Sequence, residues 1–164
     1  MPESLVPRTK RDAQTVLTDG TRTYTINKEV GDFSWDSPNE TVTAFLDRGA
    51  FGSTPDLRLG DDQASTFSFS AYLRDLFSTT YTTLPDLCNV TAGSYVATTW
   101  TSTLGSASDV RTVTVQYTID GSAFGESDKT ITFAFSTLRA SIAESDQSTI
   151  SVSGTSYLAR PTVA

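Results

Sequence analysis

Residues 111 to 135 read RTVTVQYTIDGSAFGESDKTITFAF, and their side chains alternate between two kinds of surface. Successive side chains of a β-strand point to opposite sides, so a period of two separates a buried face from an exposed one. Val113, Val115, Tyr117 and Ile119 fall on one side, and Thr112, Thr114, Gln116 and Thr118 on the other. Past Asp120-Gly121 the chain returns with Ile131, Phe133 and Phe135 against Thr130, Thr132, Ala134 and Ser136. The pattern predicts a hairpin with a long turn. Its charges, from Asp109 and Arg111 to Asp128 and Lys129, stand at the ends and in the turn, which leaves one face polar but neutral.

Working outward, further strands are predicted in TRTYTIN (21–27), GDFSW (31–35), ETVTAFLD (40–47), TFSFSAYL (66–73) and STISVSGTSY (148–157). Each is bounded by turn residues such as Ser37-Pro38-Asn39. Leu84, Leu87 and Cys88 have helical spacing, with Thr83 as N-cap and Pro85 early in the helix, so one short helix is expected from Leu84. Residues 48–65 hold three glycines, a proline and three aspartates, and read as a long loop of the kind that serves binding or assembly. Residues 1–20 read as an extended N-terminal arm and 158–164 as a C-terminal tail. The expectation is a single mostly-β domain over 1–164, about seven or eight strands in a sandwich or rolled barrel with one flanking helix.

At 164 residues the chain can bury roughly 70% of its unfolded surface, enough for a core without staples. Cys88 is the one cysteine and there is no histidine, which rules out an intrachain disulfide and the Ser-His-Asp and Cys-His arrangements. No phosphate-loop or dinucleotide glycine pattern occurs. Asp61-Asp62 and the acidic turn 120–128 lack EF-hand spacing. No catalytic, cofactor-binding or metal-binding residues are assigned, and an enzyme is not expected. Neither a signal-peptide apolar region nor a run near the ~20 apolar residues of a membrane span is present, so the expected origin is a cytoplasm. The net charge of −7 argues against a DNA reader, which needs a basic patch. It suits a surface that lets nucleic acid pass without sticking.

Monomers blunt sheet edges with lysines, prolines or short strands. Lysine occurs only at 10, 28 and 129, so the edges are expected to close on themselves or pair with another copy. Neutral hydroxyl faces fit a subunit contact or a wet channel because no charge has to be desolvated. Two other classes compete. One is a carbohydrate- or receptor-binding β-sandwich using Trp35 and Trp100. The other is a different virion component, such as a tail terminator or a capsid decoration protein.

The layout GDFSW, ETVTAFLDRGAFG, a long loop to LRLGDDQ, TFSFSAYLRD and then DVRTVTVQYTIDG, KTITFAF and STISVSGT resembles the tail tube proteins of long-tailed bacteriophages. The resemblance spans roughly residues 20–157 by architecture and contains no diagnostic short motif. It implies a virion structural protein, made in the host cytoplasm, whose homohexameric rings stack into a tube around a DNA channel. The partners implied are other copies of the chain, the tape-measure, terminator and tip proteins of the tail, and DNA passing non-specifically through the lumen. By the same resemblance Arg48, Phe51, Leu57, Arg58, Asp61 and Asp62 are inter-ring contacts in the loop, helped by the terminal arms. Thr112, Thr114, Gln116 and Thr118 would form a lumen or inter-subunit face.

Overall fold

The computed structural model describes residues 13–26, 30–36, 42–46, 55–59, 63–74, 76, 78, 82–88, 112–121, 127–144, 148–158 and 160–164. Its elements are β1 (Ala13–Thr18), β2 (Thr23–Thr25), β3 (Ser34–Asp36), β4 (Val42–Leu46), β5 (Pro55–Leu59), β6 (Ser65–Tyr72), α1 (Leu84–Leu87), β7 (Val113–Ile119), β8 (Lys129–Ala143), β9 (Thr149–Ser156) and β10 (Thr162–Val163). One antiparallel sheet runs β2-β1-β7-β8-β9-β6-β3 with β10 against β8, and β4 and β5 form a separate pair. Among the described residues the fold is mostly β with one short helix, in line with the sequence.

The long strand β8 serves two half-sheets. Residues 129–136 pair with β7, while 136–143 pair with β9. At the join Phe135 has φ 51°, a left-handed conformation that costs a bulky residue of order 1–3 kcal/mol. The register with β7 slips between Val113 and Val115. The alternation therefore changes phase: Phe133 is buried, and so are Ser136 and Leu138. This corrects the sequence reading, which put Phe135 inside and Ser136 outside; a strict period of two cannot register a bulge.

Serine hydroxyls repair the bulge. Ser136 Oγ donates to the Phe133 carbonyl at 3.0 Å and Ser156 Oγ to the Ala134 carbonyl at 2.8 Å. Both serines are fully buried; the Ser136 bond is buried as a whole and the Ser156 bond is part-buried. Ser156→Ala is expected to cost about 1–3 kcal/mol, read as a lower urea midpoint with an unchanged m-value.

The kink lets the half-sheets close face to face over an aromatic core. Phe33, just before β3, stacks on Tyr117 of β7 with centroids 4.0 Å apart. Phe67 of β6 meets Phe133 of β8 at 4.8 Å, and Trp35 packs edge-on against Phe133 at 5.8 Å. Leu84, Leu87 and Cys88 bring α1 into the same buried cluster. The helix begins where the sequence put it, but Thr83 makes no side-chain cap; its hydroxyl points instead to the Leu76 carbonyl, at 3.5 Å.

Three boundaries differ from expectation. Residues 13–18, read as part of an arm, are β1, with Thr15 and Leu17 fully buried. The β1–β2 turn is held by Asp19, whose Oδ1 accepts the Thr21 N–H at 2.8 Å and the Arg22 N–H. Gly20 supplies φ 93°, which a side chain would resist. Within 48–65, read wholly as loop, Pro55–Leu59 pair with β4. In the 158–164 tail, Thr162 and Val163 pair with β8.

The edge argument also changes. Strands β7 and β8 lie inside the sheet, and its ends are the three-residue strands β2 and β3. Such short edges are themselves a protection, so few lysines do not by themselves demand a shared sheet.

Candidate assembly surfaces

The sandwich presents two outward faces, and residues opposite one another across antiparallel strands share a face. On the first, Gln116 of β7 lies between Val16 of β1 and Thr132 of β8. Thr114 is opposite Thr18, which is opposite Thr23 of β2. Thr118 is opposite Thr130, with their hydroxyls 3.0 Å apart, and Thr162 of β10 faces Thr132. The neutral stripe read from 112–118 is thus one row of a threonine-rich face that crosses five strands. None of these paired positions carries a charge.

Of the four residues expected on that stripe, Thr114, Gln116 and Thr118 lie on this face, half-buried. Thr112 is fully buried just ahead of β7 and is not on an open surface; the phase change at the bulge takes it out of the alternation. In the loop, Leu57 and Arg58 fall in β5 opposite Ala44 and Thr43. Arg48, Phe51, Asp61 and Asp62 lie outside the described residues.

The second outward face belongs to β8, β9, β6 and β3, and sequence reasoning missed it. One row is Arg139, Ser153, Ser68 and Ser34; the next is Thr137, Thr155, Thr66 and Asp36. Hydroxyls meet across strands, Ser34 with Ser68 at 2.7 Å and Ser70 with Ser151 at 3.2 Å. Asp32 Oδ1 accepts the Ser70 N–H at 2.7 Å, completing the edge where β3 has not yet begun. A shallow depression of about 450 Å³ runs over this face, with Asp32 and Arg139 among its lining residues. The signal was present as T-x-S-x-S spacing in β6 (Thr66, Ser68, Ser70) and β9 (Thr149, Ser151, Ser153), but the alternation was read only as evidence for strands.

Cys88 belongs to neither face. Burial pushes its thiol up to about 12 from an ordinary 9.0, because the charged thiolate is penalised in an apolar surrounding. The folded chain should therefore leave Ellman's reagent unreacted near neutral pH, and the thiol should react on addition of denaturant. Between about pH 9 and 12 the unfolded chain loses this proton while the folded chain keeps it, so this group's contribution to stability falls as pH rises through that window. Among the described residues no group of three or more His, Cys, Asp or Glu side chains could hold a metal ion.

No protein-family model and no curated protein matches the sequence. Solved structures do match. The chain superposes with TM-score 0.58 on the sheath/tube terminator of the extracellular contractile injection system PVC in its extended state, at 12% identity, over 100% of this chain and 99% of that one. It superposes equally, with TM-score 0.58 and 10% identity, on the tube-terminating cap of the anti-feeding prophage, over 100% of this chain and 93% of the cap. The likeness is one of fold. Both neighbours are tube-ending proteins of phage-tail-like particles.

Proposed function

We propose that this chain is a structural subunit of a phage-tail-like particle, closing into a ring at the end of a tail tube as a terminator or cap. The observation that carries this reading is the length of the fold match: two tube-ending proteins cover the whole chain, with little of either neighbour left over. The neutral threonine face supports it, since such a surface can be buried between subunits without stranding a charge. A ring at that position would touch further copies of itself, the last ring of the tube and the tape-measure protein. Its acidity would keep DNA from adhering as it passes.

A second reading, the tube subunit itself in stacked hexamers, keeps one observation in its favour. The β4–β5 pair is separate from the main sheet, and β5 lies within residues 48–65, where the tail-tube resemblance places a stacking loop. Multi-angle light scattering over a range of concentrations separates the two. A terminator saturates at the mass of one ring or a pair of rings, whereas a tube subunit keeps growing; growth without limit would replace the first reading with the second.

A further inference from the structure

The serine face carries its charges at opposite margins. Arg139 stands on the 137–143 part of β8, which among the described residues pairs with β9 alone, and Asp36 stands on β3 at the far end of the neighbouring row. Three strand spacings, about 14 Å, separate them. Both side chains are exposed, and water and salt screen exposed charges strongly at that separation, so they do little for each other within one chain. Asp32 adds a second carboxylate near the β3 margin, with one oxygen already committed to Ser70. The rows between hold only serines and threonines.

A chain with net charge −7 repels its own copies, and a contact between copies needs positive set against negative. Pairing like margins would set Arg139 against Arg139, or Asp36 against Asp36. Head-to-tail pairing sets them against each other, and a heterologous contact of that kind makes a ring when its rotation closes. Building on the ring-forming reading above, we propose that the β8 margin of one subunit docks beside the β3 margin of the next, with Arg139 facing Asp36 of the partner subunit. Asp32 of the partner subunit lies on the same margin and adds to the negative field.

The test uses the full chain and four variants: Arg139→Glu, Asp36→Arg, the double swap, and Arg74→Glu, which makes the same charge change beyond the end of β6. Circular dichroism checks that each folds, and sedimentation velocity gives the concentration of half-assembly. Each single swap should raise that concentration by about tenfold or more, the double swap should restore it, and Arg74→Glu should leave it near the wild-type value. Rings that form normally with Arg139→Glu would overturn the contact and leave the ring reading standing. A double swap no better than the singles would overturn the pairing, and dimers in place of rings would overturn its head-to-tail sense. A wild-type monomer at every concentration would overturn the ring reading and the contact together.

Discussion

Phe133→Ala should lower unfolding stability by about 3–5 kcal/mol, the range for removing a buried aromatic ring. Phe133 is fully buried and, standing on the half of β8 that pairs with β7, meets the facing half-sheet at Phe67 (4.8 Å), Trp35 (5.8 Å) and Phe33 (6.0 Å). It also sits two residues before the strained Phe135, so the sheet cannot settle into the hole without disturbing the bulge. That rigidity places the expected cost at the upper end. Urea unfolding followed by tryptophan fluorescence reads it directly, because Trp35 lies against the deleted ring. A loss under about 1 kcal/mol would mean that the half-sheets do not close over this residue.

Gly154→Ala should cost about 1–3 kcal/mol, although alanine suits a strand better than glycine does. Gly154 faces Phe67 across β6 and β9. A Cβ there would fall within the Phe67 ring, 2.7 Å from Cε1 and nearer still to Cε2 and Cζ. The ring has little room to retreat, since Phe33 stacks at 6.2 Å and Phe133 lies beyond it. Shrinking Phe67 should relieve the clash, so Phe67→Leu with Gly154→Ala should be less destabilising than the sum of the two single changes. Additive losses would show that the glycine is needed for some other reason.

Much of the fold was legible because inward positions in most strands are apolar and outward ones polar. The two strands expected on either side of Asp120-Gly121 and the one over 148–157 became β7, β8 and β9, and the turn between the first two fell where Asp120-Gly121 put it. What the sequence hid has physical causes. β1 was obscured because Thr15, a polar residue, occupies an inward position beside Leu17. The bulge in β8 was hidden because Phe135 and Ser136 have the polarities of the unbroken alternation, and only the backbone turns them over.

The candidate surfaces were half legible. The threonine stripe on β7 was visible within one hairpin, but its extension to β1, β2 and β10 depends on pairings between segments far apart in sequence. Arg139 and Asp36 are more than a hundred positions apart, and nothing local connects them. Only the register of three strand pairs puts them on one face. The mostly-β fold class was legible in the sequence, and the two solved structures that share the fold are tube-ending proteins rather than tube subunits.

Negative-stain electron microscopy of the purified chain across a range of concentrations tests the proposed ring-forming role most directly. Closed rings with a central channel, present at high concentration and lost on dilution, are the outcome expected here. Particles the size of a single 17.7 kDa chain in every image, with no rings even at the highest concentration, would contradict it.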